Sequence, residues 1–168
     1  NQIGSISFNT SGNLTMTGNV NVTGTWSVTS LGGLNAGTSV VNMMGGTVTA
    51  GNTATTQAMF DNLTTTTGST TVLSSNSFVS FNGNLTNNGS ITPNNALLRM
   101  NGGGAQSITG TSLTLNALEA NNVGTKTIGT AIDITDSLKI SAAATIASGG
   151  NLTLKSTSAL KGRIAQVA

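Results

Sequence analysis

Val28 to Gly46 reads VTSLGGLNAGTSVVNMMGG, and Leu85 to Gly103, 57 positions on, reads LTNNGSITPNNALLRMNGG. At that offset Val28 faces Leu85, Leu34 faces Ile91, Val40-Val41 face Leu97-Leu98, and Met43 faces Met100. The glycine pairs Gly32/Gly89, Gly45/Gly102 and Gly46/Gly103 coincide without a gap. A looser third copy follows, with Leu138, Ile146 and Leu152 standing where Leu85, Ile91 and Leu97 stood, at offsets of 53 to 55. Short aliphatic segments that recur between glycine and asparagine corners predict a stacked, quasi-one-dimensional architecture. The repeated aliphatics form the predicted core: Val28, Leu34, Val40, Met43, Leu85, Ile91, Leu97, Met100, Leu138, Ile146 and Leu152. The chain reads as one segment, 1–168, with repeat units near 28–84, 85–137 and 138–168 and no domain boundary.

Strand signals dominate. Ile3, Ile6 and Phe8, then Leu14 and Met16, Val20 and Val22, Trp26 and Val28 alternate with small polar residues at period two, as a strand with one buried face requires. Between them Gly12-Asn13, Gly18-Asn19 and Gly24 supply corners. Only Ala96–Met100 and Ala142–Ala147 could form a helical turn, and both lack caps. The expected class is therefore all-β. A parallel β-helix is expected, with β-sandwich repeats as the alternative; narrow Val, Ile and Leu cores suit stacked coils, whereas sandwiches favour hairpins and aromatic cores. Turns of roughly 20 to 28 residues, by analogy with known solenoid periods, make the 57-residue echo two or three turns. Corner asparagines are expected to stack amide on amide from turn to turn. Pro93, the single proline, reads as part of a corner.

Thr, Asn, Ser and Gly supply over half of the residues, and charged residues only 6%. The net charge of +2 is scattered, with no basic stripe or interleaved aromatics, so no nucleic-acid partner is expected. No apolar run reaches the roughly 18 residues of a membrane helix, so no membrane insertion is expected. The two ends read as those of a fragment of a longer chain.

The chain holds no His, Cys or Tyr, which removes a serine triad, a thiolate or histidine metal site and a tyrosine acid-base from its own repertoire. No catalytic residue and no cofactor is assigned. The one close carboxylate pair, Asp133 and Asp136, is the weak calcium candidate. With Ile132, Ile134 and Leu138 inward, Asp133 should point outward and Asp136 lie near a corner, both solvated beside Lys139. Threonine pairs at 15/17, 47/49, 53/55, 109/111 and 125/127 raise an ice-binding ladder, against which their uneven spacing speaks.

Gly24-Thr25-Trp26 and Leu34-Asn35-Ala36-Gly37-Thr38 resemble the GTW and FNAGT units of very large secreted surface proteins of Bacteroidota. Gly104-Ala105-Gln106-Ser107-Ile108-Thr109-Gly110-Thr111 is similar to their GAQTITGT units, and Leu152-Thr-Leu154 with Ser156-Thr157-Ser158 to a segment that closes their repeat arrays. The resemblance implies an adhesin-like β-solenoid cargo of type IX secretion. It also implies an O-glycan at Ser137, since Asp136-Ser137-Leu138 matches the attachment pattern of such bacteria. The expected function is an extracellular scaffold, a stalk, filament or adhesin repeat. The alternative is a carbohydrate- or ice-binding solenoid module. Expected partners are neighbouring modules or copies of the chain through the solenoid ends, and carbohydrate along an Asn/Thr/Ser ribbon.

Overall fold

Val40 to Met43 displays the rule on which the architecture is built. Val41 and Met43 are fully buried while Val40 and Asn42, alternating with them, are half-buried on the opposite side. The structure is a computed structural model and describes residues 2–35, 37–141, 143–156 and 162–166. Ala36, Ala142, Thr157, Ser158 and Lys161 therefore lie outside the described residues.

One sheet has eight strands, stacked in chain order: β1 (Gln2–Ile3), β4 (Asn19–Val22), β7 (Val40–Met43), β10 (Asn62–Thr65), β13 (Leu85–Asn87), β16 (Gln106–Gly110), β18 (Gly124–Ile128) and β20 (Ala144–Ala147). A second has five: β2 (Ile6–Asn9), β5 (Trp26–Ser30), β8 (Thr47–Thr49), β11 (Thr70–Leu73) and β14 (Ser90–Thr92). A third has seven: β9 (Ala58–Phe60), β12 (Phe78–Phe81), β15 (Leu97–Met100), β17 (Leu113–Ala120), β19 (Ile132–Ile140), β21 (Leu152–Leu154) and β22 (Arg163–Gln166), the last two both pairing with β19. A short pair, β3 (Asn13–Leu14) and β6 (Gly33–Leu34), precedes this third sheet in the first two turns. All strand pairs among the described residues are parallel, and none joins neighbours in sequence. Parallel pairing with a whole coil between partners is a β-solenoid of about eight turns, not a sandwich of hairpins.

Register partners in successive turns lie 19 residues apart at Gln2 and Asn21 and as many as 26 apart at Ser137 and Arg163. The 57-residue echo is therefore not a whole number of turns. Val28 lies in the five-stranded sheet and Leu85 in the eight-stranded one; Met43 lies in the eight-stranded sheet and Met100 in the seven-stranded one. What recurs is the unit of one face, a short strand followed by a Gly/Asn corner, and a shift by one face preserves it.

The cross-section changes along the stack. Through β15 each turn contributes three strands; the five-stranded sheet then ends at β14, and β17 packs beside it. The later turns carry two strands on the main sheets, with β17 lengthened to 8 residues and β19 to 9. A β-bulge between Leu115/Ala117 and Ile134/Ser137 adds one residue to β19 and bends the long strands.

Val28, Met43, Leu85, Met100 and Leu138 are buried in the core as expected, and Leu34, Ile91, Ile146 and Leu152 pack against it half-buried. Two positions differ. Val40 is on the outer side of β7, because the inward places are taken by Val41 and Met43. Leu97 is buried, but on the opposite face of β15 from the core residues Leu98 and Met100. Of the two stretches that could have formed a helical turn, Leu97–Met100 is strand β15 and Ala144–Ala147 is strand β20. Aromatic residues contribute one stack, Phe8 on Trp26 on Phe60, with centroids 4.8 and 4.9 Å apart.

Corners behave as their residues dictate. Asn76, Asn94 and Asn122 adopt positive φ, and Ala96 N–H bonds Pro93 O at 2.9 Å to close the proline corner. Gly46, at φ 75°, has no room for a Cβ because Gly24 O of the turn before lies against it. Asparagine amides ladder from turn to turn: Asn42 Nδ2 donates to Asn21 Oδ1 at 2.7 Å, and Asn121 Nδ2 to Asn101 Oδ1 at 2.8 Å.

Candidate functional site: the solenoid faces

The carboxylates singled out from the sequence do not converge on one another. Asp133 is held by Lys155 at 2.6 Å and Asp136 by Arg163 at 3.6 Å, so each faces a separate cation. Asp136 sits in the bulge segment of β19 rather than at a corner, and Lys139 stands in register with Glu119 instead of pairing with Asp136. Among the described residues no three metal-ligating side chains cluster. Ser137 is 1% exposed and its hydroxyl donates to Asp136 Oδ2 at 3.1 Å, which leaves an O-linked sugar no access in the folded chain.

The five threonine pairs scatter. Thr47 and Thr49 lie in β8, Thr125 and Thr127 in β18, Thr109 in β16, and the remainder in corners. A regular array does exist, built from other residues. On the outer face of the eight-stranded sheet Asn21, Asn42, Thr64, Thr86 and Thr109 stand in one register line. The signal was present in the spacing of 22 and 23 residues between Thr64, Thr86 and Thr109. It becomes visible only once the length of a turn is known.

Inside the same sheet, one edge of the interior is polar. Two residues ahead of the buried column Val41, Leu63, Leu85, Ile108 and Ile128 stand Ser39, Asp61, Gly83, Gln106 and Lys126. Asp61, 2% exposed, accepts from Ser39 Oγ at 2.6 Å and Gly37 N–H at 3.1 Å. Gln106 Nε2 donates to the carbonyls of Phe81 and Gly83, and its Oε1 accepts from Gly102 N–H. Lys126, fully buried, donates to the carbonyls of Gly102 at 2.6 Å, Gly104 at 3.0 Å and Val123 at 3.2 Å. Burial pushes its ammonium below the ordinary lysine range. Gln106 and Lys126 satisfy carbonyls that the corner turns leave inward, and Asp61 satisfies a backbone N–H, a structural task.

The outer face of the seven-stranded sheet carries a groove of about 260 Å³. Its floor is a register line of Phe78, Leu97, Ala117 and Ser137 across β12, β15, β17 and β19. Beside it runs a second line, Ser80, Arg99, Glu119 and Lys139. Arg99 Nε donates to Glu119 Oε2 at 2.9 Å and its guanidinium lies 4.8 Å from the Phe78 ring centroid. Asn52, Asn76, Asn95 and Asn116 flank the floor, with Asp136 and Lys139 at the β19 end.

The chain matches no family model, no curated protein and no solved structure.

Proposed function

We propose that the chain is an extracellular structural segment, a stalk, filament or adhesin repeat that serves as a rigid scaffold on a bacterial cell surface. One observation carries this: where the charge goes. Asp61, Glu119, Asp133 and Asp136 are each held by a partner inside the chain, and so are Arg99, Lys126, Lys155 and Arg163. Ionisable groups committed to holding turns together are not poised to exchange protons with a substrate. The hydrogen bonds run along the stack, through the strand ladders and through side-chain ladders such as Thr65 to Asn87 to Thr111. Such bonding resists bending and lets length be added turn by turn. Neighbouring modules or further copies would cover the terminal strand edges, which otherwise invite uncontrolled pairing.

Antibody labelling of intact, unpermeabilised source cells tests the location. Surface label extending away from the envelope is expected; label appearing only after lysis would overturn the proposal. The ice-binding alternative rests on the Thr64, Thr86 and Thr109 line. It predicts thermal hysteresis that disappears in Thr86→Tyr.

A further inference from the structure

The groove on the seven-stranded sheet differs from the other outer surfaces in what its amides do. Elsewhere most asparagine side chains bond from turn to turn, as Asn42 does to Asn21, Asn101 to Asn82 and Asn122 to Asn101. Among the described residues, Asn9, Asn19, Asn52, Asn76, Asn88, Asn95 and Asn116 have no side-chain hydrogen bond within the chain. Asn9, Asn19 and Asn88 stand apart; Asn52, Asn76, Asn95 and Asn116 all open onto the one groove. Lys139, the described ionisable side chain without a partner, opens onto it as well.

We propose that this groove binds an extended, hydroxyl-rich glycan lying along the solenoid axis. An amide offers both donors and an acceptor, and a sugar hydroxyl is both donor and acceptor, so the rim is matched to a hydroxyl-bearing polymer. Asn76 and Asn95 each stand two residues ahead of the register partners Phe78 and Leu97, so successive turns present these two amides about 4.8 Å apart, a repeat that an extended chain of sugar rings can follow. Phe78, Leu97 and Ala117 give the ring C–H faces an apolar floor, and Arg99 stacked on Phe78 keeps that ring in place.

Other polymers fit less well. A nucleic acid needs a row of cations, and among the described residues here Lys139 is the one uncommitted cation, beside an already paired Asp136. An extended peptide adds to an open sheet edge, whereas the groove lies over β12, β15 and β17, each hydrogen-bonded on both sides. The inference adds to the scaffold role without depending on it, since a scaffold with an empty groove remains a scaffold.

The test is a titration of the intact chain with cellohexaose, chitohexaose, mannohexaose and hexagalacturonate, followed through the asparagine side-chain amide resonances. At least one oligosaccharide is expected to shift the Asn76, Asn95 and Asn116 amides. The triple variant N76A/N95A/N116A should then bind it at least tenfold more weakly, while N9A/N19A/N88A, of equal composition, stays within twofold. Melting temperatures of both variants confirm that they fold. Binding of hexagalacturonate alone, lost in Lys139→Gln, would place a sugar carboxylate at that end of the groove. The proposal is overturned if none of the four sugars binds at millimolar concentration. Equal weakening by the two triple variants, or preferential occupation by peptide or oligonucleotide, would overturn it too.

Discussion

Lys126 Nζ donates to Gly102 O at 2.6 Å across one turn of the stack, inside the solenoid and with no carboxylate bonded to it. Its folded-state pKa is lowered by burial, so between that value and the unfolded value of 10.5 the unfolded chain binds more protons than the folded one. Stability should therefore rise with pH as it climbs through that window toward 10.5, the penalty on the buried ammonium being largest below the folded pKa. Denaturant melts at stepped alkaline pH should show this rise in the parent chain and a flatter curve in Lys126→Met. At neutral pH the same substitution also orphans carbonyls, at a cost of about 1–3 kcal/mol.

Asn87 joins three turns. It accepts from Thr65 Oγ1 at 2.6 Å and donates to Thr111 Oγ1 at 2.8 Å while fully buried. Asn87→Ala should cost about 1–3 kcal/mol, because the Thr65 hydroxyl, fully buried in the turn before, loses its partner. Chemical denaturation measures this. A loss below a few tenths of a kcal/mol would mean that the ladder contributes nothing.

Glu119 and Asp133 offer a contrast within one sheet. Glu119 is 4% exposed at its side chain and bonded to Arg99, whereas Asp133 and Lys155 are 32% and 55% exposed. Glu119→Ala should cost up to about 3 kcal/mol by leaving Arg99 partly buried and uncompensated. Asp133→Ala should cost less than about 1 kcal/mol, since exposed pairs are screened. Equal losses would contradict the assignment of the two environments.

Leu97 and Leu98 are neighbours in sequence on opposite faces. Leu98→Ala opens a cavity in the core and should cost about 2–5 kcal/mol. Leu97→Ala should cost less, because it lines an open groove. Thermal melts of the two variants separate these cases.

These residues also mark how far the sequence could be read. Period-two alternation was enough to establish strands, and the scarcity of hairpin signals favoured a parallel stack. Alternation alone does not say which of two adjacent aliphatics points inward, so the pattern puts Val40 and Leu97 in a core that belongs to Val41 and Leu98. A double aliphatic has no polar partner to mark its outer member, and only cross-turn register resolves it. The 57-residue echo carried a related ambiguity: faces built from the same strand-and-corner unit resemble one another, so the best self-match advanced the chain by a face as well as by turns. Asp61, Gln106 and Lys126 stand 45 and 20 residues apart in the sequence. Their common place along one inner edge depends on a turn length that self-similarity did not supply.

The central claim is that the chain is a parallel stack serving as a scaffold, and electron cryomicroscopy of the native particle tests it most directly. The account predicts a continuous rod with strand layers about 4.8 Å apart along its long axis. A compact particle, with its strand layers stacked across a short axis and its ends closed off, would contradict it.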